Sequence, residues 1–144
     1  MVGTLSIDRA RPLIICDADE VLVQFMMGLE RYLDRNGYGL DLTSFRIHGN
    51  VVVRETGVKA ADEDVTRLIG DFFASDTAHL DPVPGAAEAL RNLSHTAQVV
   101  VLSNLPDTAR QARIANLARH GMSYPVIAGS GPKGGIVARM VEGM

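Results

Sequence analysis

Residues 13–22 have the sequence LIICDADEVL, in which an apolar run ends abruptly in two carboxylates one residue apart. The run is too short for a buried helix and is rich in β-branched residues, which predicts a fully buried strand from Pro12 to Cys16. Asp17 and Asp19 then fall on the loop at the carboxyl end of that strand, the edge at which open α/β sheets bind ligands. Two neighbouring carboxylates are costly unless a cation, hydrogen bonds or phosphate chemistry compensates them, so we expect this pair to belong to a functional site.

Length and composition place the chain among ordinary globular proteins. Its 144 residues suit one domain with a small insertion, and 47% apolar with 22% charged residues is typical of such domains. The net charge of −3 and the pI near 5.7 give no electrostatic basis for binding nucleic acid or an anionic membrane. We therefore predict no nucleic-acid partner and no membrane partner.

The sequence also favours a cytoplasmic location. Cys16 is the single cysteine, so the chain cannot form an internal disulfide bond. Residues 1–10 lack the basic region followed by an apolar region that marks a signal peptide. No apolar run approaches the length needed to span a membrane.

Helical periodicity and short apolar runs alternate along the rest of the chain. We predict helices near residues 25–33, 62–73, 86–93 and 107–120, further strands at residues 98–102 and 125–128, and a last helical turn or two at residues 136–141. This alternation of strands and helices predicts an α/β fold with a doubly wound parallel sheet.

A mostly helical segment is inserted after the first strand. It spans residues 24–74, in which Val51–Val53 fits either a strand or the start of a short helix, and Asp62 is a candidate helix cap. We therefore predict a sheet-containing unit made of residues 1–23 and 75–144, with residues 24–74 as a separate small unit.

Each of the three predicted strands ends in polar groups. Asp17 and Asp19 follow the first strand, Ser103 and Asn104 follow the second, and a glycine-rich loop holding Lys133, one of two lysines, follows the third. All three ends lie at one edge of a parallel sheet. Two carboxylates, a hydroxyl and an ammonium form a plausible site for phosphoryl transfer, in which donors and a cation meet the charge on the phosphoryl oxygens.

This constellation resembles the haloacid dehalogenase-like (HAD) superfamily of phosphohydrolases. The family's first motif, Asp-x-Asp-x-(Val/Thr) after an apolar strand, is matched by residues 17–21, DADEV. Its second, an apolar strand ending in Ser or Thr, is matched by residues 99–104, VVVLSN, and its third, a lysine beyond the next strand, by Lys133. The inserted segment resembles the family's small helical C1 cap, and residues 84–93 resemble the return from that cap.

The resemblance implies a Mg²⁺-dependent phosphatase acting on a small phosphorylated metabolite. Asp17 would attack phosphorus to form an aspartyl-phosphate, and Asp19 would protonate the leaving group and then activate water. Ser103 and Lys133 would hold the phosphoryl group, with Asn104 nearby. Mg²⁺ would bind at Asp17 and at the backbone carbonyl of Asp19. The acid at position 19 favours a phosphatase over a dehalogenase or an ATPase, while Glu20 replaces the glycine common at that position.

One departure from the family pattern concerns the metal site. The fourth motif, an acidic pair that ends another strand and completes the Mg²⁺ site, has no match after Lys133. That strand would flank the first one, so without it residues 13–16 would form a bare sheet edge, which soluble proteins avoid. We expect either that the natural chain continues past Met144 or that a partner chain, such as a second copy, supplies the strand. This chain alone would then bind Mg²⁺ and turn over substrate weakly.

Other functions remain open from the sequence. The missing acidic pair is compatible with a non-catalytic HAD-like binding or scaffold protein. A phospho-acceptor signalling domain also uses acids, a hydroxyl and a lysine at strand ends, although the inserted segment disfavours it. Residues 129–134, GSGPKG, fit a dinucleotide-binding pattern, but Pro132 interrupts the expected helix start and no acidic ribose partner follows. The polar residues could also be ordinary turn, cap and surface residues.

Overall fold

The computed structural model describes residues 7–41 and 47–129. Their elements in chain order are β1 (Leu13–Asp17), α1 (Phe25–Arg35), β2 (Tyr38–Leu40), β3 (Val51–Val53), α2 (Asp62–Asp76), a 3-10 turn (Thr77–His79), α3 (Ala86–Leu93), β4 (Gln98–Ser103), a second 3-10 turn (Asp107–Ala109), α4 (Arg110–Arg119) and β5 (Val126–Ala128). None of the helices in these residues is long and apolar enough to cross a bilayer.

The main sheet is parallel, as the alternation of strands and helices predicts. Its order is β1-β4-β5, with Leu13 opposite Gln98 and Val101 opposite Val126. Because the strands are parallel, the carboxyl ends of all three lie at one edge of the sheet. The α/β fold and the shared edge are therefore confirmed.

The first strand is less buried than its apolar sequence predicts. Leu13, Ile14, Ile15 and Cys16 are all half-buried, whereas the central β4 is almost wholly buried. Within the described residues β1 pairs only with β4, so its other side lacks the neighbour that would cover it. The prediction of a fully buried strand is wrong for this reason, and the pairing of that edge with a further segment or a second copy stays a prediction.

The inserted segment is not purely helical. Between α1 and α2 it contains a two-stranded antiparallel sheet, in which Tyr38 of β2 lies opposite Val53 of β3. Three consecutive β-branched valines favour the strand over the helix that was the alternative for Val51–Val53. Each strand has only three residues, too few for a periodicity that would have predicted Tyr38–Leu40.

The two long helices of the inserted segment pack through aromatic side chains. Phe25 on α1 contacts Phe72 on α2 edge to face, with ring centroids 5.4 Å apart, and Tyr32 contacts the same ring at 5.6 Å. The helix cap predicted at Asp62 is wrong, because Ala61 precedes the helix and Asp62 is its first residue. There its carboxylate instead complements the positive end of the helix dipole.

The chain enters and leaves the inserted segment at adjacent positions. Val23 and Pro82 form an antiparallel bridge, Gln24 donates its N–H to the Asp81 carbonyl at 2.8 Å, and Val83 donates to Leu22 at 2.9 Å. The predicted boundary between residues 74 and 75 falls inside α2, and the division into a sheet-containing unit and an inserted unit stays a prediction. The last predicted helical turn, residues 136–141, lies outside the described residues.

Candidate active site

The loop after β1 is a compact turn built around one carbonyl. The Ala18 oxygen accepts the N–H groups of Val21, Leu22 and Val23 at 3.3, 2.8 and 3.1 Å, and Ala18 itself is fully buried. Glu20 donates its N–H to the Val23 carbonyl at 2.8 Å. These bonds fix the backbone of the loop that carries the two acids.

Glu20 completes this turn in an unusual conformation. Among the described residues, Glu20 is the one non-glycine residue with a positive φ, at 63°. A side chain in this left-handed region raises the backbone energy by about 1–2 kcal/mol. This is the position at which the HAD superfamily, which the sequence resembles, commonly has glycine. The Glu20 carboxylate accepts the N–H of Met26 in the first turn of α1, one of the helix donors that lack a partner within the helix. Glu20 therefore connects the acidic loop to α1.

Asp17 lies where β1 ends, exposed, and opposite Leu102 of β4. The neighbouring Cys16 thiol lies 3.3 Å from the Asp17 carbonyl. Burial raises the pKa of Cys16, and the negative charge of Asp17 raises it further, so this thiol is held protonated. Cys16 is accordingly a small packing residue, as its position in the strand predicts.

Asp19 makes an ion pair that the sequence did not predict. Its Oδ1 lies 2.8 Å from Nη2 of Arg113, a residue of α4 whose side chain is 0% exposed. The guanidinium approaches without the alignment of a hydrogen bond, and within the described residues its three nitrogens have no hydrogen-bond partner. The contact is therefore a buried charge pair at the predicted site.

Ser103 ends β4 with its hydroxyl buried. The residue is 1% exposed, and no hydrogen-bond partner for its Oγ lies in residues 7–41 and 47–129. Its carbonyl accepts the N–H of Gly129 at 3.0 Å, which places the start of the glycine loop beside it. Asn104 follows and is exposed. A buried hydroxyl without a partner normally has a ligand or water to meet, which suits a phosphate-binding role.

The structure thus brings four of the five predicted residues to the same edge of the sheet: Asp17, Asp19, Ser103 and Asn104. The fifth, Lys133, lies outside the described residues.

Comparison with solved structures identifies the fold that carries these residues. The chain matches a haloacid dehalogenase-like hydrolase from Streptococcus pneumoniae over 92% of its own length and 70% of that chain, with a TM-score of 0.61 and 13% identity. It also matches a haloacid dehalogenase-like hydrolase from Xanthomonas campestris over 92% of its own length and 68% of that chain, with a TM-score of 0.52 and 15% identity. The chain has the HAD-like fold. No protein-family model matches the sequence, and no curated protein matches it significantly.

The HAD-like fold is expected to hold Mg²⁺ at this edge, and the donors fit the ion in kind. Mg²⁺ prefers oxygen ligands and uses one or two carboxylates together with water and substrate phosphate. Asp17 offers a carboxylate here and Asp19 a backbone carbonyl. No cluster of three or more acidic, histidine or cysteine side chains that could hold a metal occurs in the part of the chain that the structure describes. The donors at Asp17 and Asp19 therefore match the ion in chemical type, and they are fewer than a complete ligand set.

The residue that sequence reasoning missed is Arg113. In an Ala/Arg-rich helix an arginine is normally a surface residue, and the apolar Ile114 and Leu117 are the residues that the sequence predicts to face inward. Leu117 is fully buried as predicted, but Arg113 and Asn116 share its buried face. The available signal was the spacing of Arg113 and Leu117 by four residues, which places both on one side of α4.

Proposed function

We propose that this protein is a Mg²⁺-dependent phosphohydrolase that acts on a small phosphorylated metabolite through an aspartyl-phosphate on Asp17. The observation that carries the proposal is the buried hydroxyl of Ser103, which lacks a partner in the described residues and adjoins the strand-end position opposite Asp17. A phosphoryl oxygen bound there would satisfy this hydroxyl.

In the first step, a carboxylate oxygen of Asp17 forms a bond to phosphorus while the bond from phosphorus to the ester oxygen breaks. The ester oxygen takes a proton carried by Oδ2 of Asp19, while Oδ1 stays against Arg113, and leaves as the alcohol. The products are the aspartyl-phosphate and the Asp19 carboxylate. A positioned acid of this kind contributes about 10²–10⁴-fold to such a step.

In the second step, water attacks the phosphorus of the aspartyl-phosphate. Asp19, now a carboxylate, takes a proton from that water, and the bond from phosphorus to the Asp17 oxygen breaks. Inorganic phosphate leaves, and both aspartates return to their starting forms. One residue thus serves first as acid and then as base.

Substrate binding rests on the neighbours of the two aspartates. The Ser103 hydroxyl donates to a phosphoryl oxygen, Asn104 lies beside it, and Lys133 provides a positive charge. When bound, Mg²⁺ supplies charge that screens the repulsion between the Asp17 carboxylate and the anionic phosphate. We further propose that the protein acts in the cytoplasm.

The test is hydrolysis of p-nitrophenyl phosphate with and without Mg²⁺. We expect Asp17→Asn to abolish turnover, because the amide cannot form the acyl-phosphate bond, and we expect chelation of Mg²⁺ to do the same. Asp71→Asn, which alters an exposed aspartate on α2, is the matched control and should keep the wild-type rate. An unchanged rate in Asp17→Asn would contradict the proposal.

A second candidate is a HAD-like phosphate-binding protein without turnover. It is favoured by the lack of a three-residue metal cluster in residues 7–41 and 47–129. It predicts binding of inorganic phosphate that weakens in Ser103→Ala, together with no hydrolysis at any Mg²⁺ concentration. Isothermal titration with phosphate, run beside the hydrolysis assay, separates the two functions.

A further inference from the structure

Arg113 is the largest fully buried side chain in the described residues. Its Nη2 lies 2.8 Å from Oδ1 of Asp19, and its nitrogens make no hydrogen bond with the described residues. A buried guanidinium pays a large desolvation penalty, and a single ion pair without hydrogen bonds does not fully offset it. A methionine or leucine at this position would serve packing at least as well. Packing alone therefore does not account for an arginine in contact with the proposed acid.

The contact divides the Asp19 carboxyl group into an inner and an outer side. Oδ1, the oxygen that faces Arg113, is buried, yet the side chain as a whole is 29% exposed. The exposed share therefore belongs to its other atoms. The ion pair fixes one oxygen inward and thereby limits the rotation of the carboxyl group about its χ angles.

The helix that carries Arg113 is itself anchored. With its amide oriented to suit the surrounding carbonyls, the buried Asn116 donates to Ala78 and Leu80 at 3.0 and 3.1 Å. His120 Nε2 lies 2.9 Å from the same Leu80 oxygen, and Arg110 Nε donates to the Val126 carbonyl at 2.9 Å. These bonds hold α4 against the inserted segment's return and against β5, so the guanidinium approaches Asp19 from a rigid base.

We propose that Arg113 is a positioning residue that holds Asp19 with Oδ2 presented to the leaving-group oxygen. The inference rests on the proposed function and adds a residue to it. Arg113 does not touch the substrate; it acts through the orientation of Asp19. In the first step its contribution is proton delivery to the leaving group, and neither phosphate binding nor the attack by Asp17 depends on it directly. In the second step, which is the same for every substrate, it orients Asp19 as the base.

Leaving-group dependence tests this role. An alkyl phosphate needs a proton on its departing oxygen, whereas p-nitrophenolate leaves readily without one. In Arg113→Met we expect kcat/KM, which covers only the steps up to aspartyl-phosphate formation, to fall by about tenfold or more for an alkyl phosphate and by less than about threefold for p-nitrophenyl phosphate. Arg113→Lys, which keeps the charge, should recover part of the alkyl phosphate rate. Arg119→Met, at an exposed position on the same helix, should behave as the wild type.

A uniform loss of kcat/KM for both substrates, or no loss of kcat/KM for either, would overturn the inference while leaving the proposed function intact, because the wild type still turns over. If the wild type hydrolyses neither substrate, the proposed function fails and the catalytic role of Arg113 fails with it. A double-mutant cycle of urea unfolding with Asp19→Asn and Arg113→Met then tests whether the two side chains interact. Additive losses refute the ion pair, and a strongly sub-additive double variant supports it.

Discussion

Asp17 lies opposite Leu102 in the parallel register of β1 and β4, so the strand-end carboxylate is one residue out of step with Ser103. Adjacent strands are about 4.8 Å apart, so the two positions are neighbours at the edge of the sheet. The Ser103 hydroxyl differs from other buried hydroxyls in having no partner within the described residues. Thr77, for comparison, donates its hydroxyl to the Phe73 carbonyl at 2.6 Å.

This contrast predicts different costs for removing the two hydroxyls. Ser103→Ala should change the free energy of unfolding by less than about 0.5 kcal/mol, because no internal hydrogen bond is lost, but should weaken phosphate binding. Thr77→Val should cost about 1 kcal/mol and leave phosphate binding unchanged. Urea unfolding and phosphate titration of both variants give the comparison. A large loss of stability in Ser103→Ala would show that the hydroxyl is engaged within the protein.

Two glycines within helices should respond in opposite ways to substitution by alanine. A methyl group on Gly28 of α1 would overlap Cδ2 of the buried Leu80, whereas nothing lies within 4 Å of a methyl group on Gly70 of α2. Gly70→Ala should therefore stabilise the protein by up to about 1 kcal/mol through helix propensity. Gly28→Ala should destabilise it by about 1–3 kcal/mol through overpacking.

Thermal and urea unfolding of the two glycine variants check this prediction, with helix content compared by circular dichroism. Stabilisation by Gly28→Ala would mean that α1 and Leu80 move apart readily. It would also mean that the inserted segment is not held closely at this contact.

Substitutions at Glu20 should separate its backbone strain from its cap. Glu20→Gln keeps both the φ of 63° and an acceptor for Met26, so we expect stability close to that of the wild type. Glu20→Ala keeps the strain but loses the acceptor, at a cost of about 1 kcal/mol. Glu20→Gly loses the acceptor but relieves the strain, and should fall between the two. Equal stability of the alanine and glutamine variants would contradict a role in capping.

Tyr32 gives the stability of the protein an alkaline dependence. Burial raises its pKa above the usual 10, and the charges of Asp71 and Asp76 raise it further. The folded state therefore holds this proton more strongly than the unfolded state. The stability from this group is complete below pH 10 and is lost as the pH rises through the folded pKa. Tyr32→Phe keeps the ring against Phe72 and removes the titration.

We therefore expect the free energy of unfolding of the wild type to fall more steeply above pH 10 than that of Tyr32→Phe. Urea unfolding at intervals from pH 8 to pH 11 measures the difference. Parallel curves for the two proteins would contradict the shifted titration.

The sequence predicted the parts of the fold whose signals are local and strong. The apolar runs of β1 and β4 and the polar residues at their ends predicted the parallel sheet and the edge shared by Asp17 and Ser103. The short β2 and β3 carry too few residues for a periodic signal. The half-burial of β1 depends on what lies beside it, which its own residues do not encode.

From the sequence, the polar residues at the strand ends could be predicted, but the tertiary contacts around them could not. The sequence did not predict the burial of Arg113, because arginine is usually a surface residue. Its burial is set by the packing of α4 on the return from the inserted segment. The positive φ of Glu20 was likewise hidden, since a glutamate gives no local signal of a left-handed conformation. In both cases tertiary contacts override a local preference, that of arginine for the surface and that of glutamate for a negative φ.

The bridge between Val23 and Pro82 determines how readily the inserted segment can be replaced by another. The chain enters and leaves the inserted segment about one strand spacing apart, so the ends of this segment need almost no span. Because the entropy of closing a loop grows only slowly with its length, segments of very different sizes can occupy this position at similar cost. The bridge is thus a point at which one insert can be exchanged for another while β1 and β4 keep their pairing.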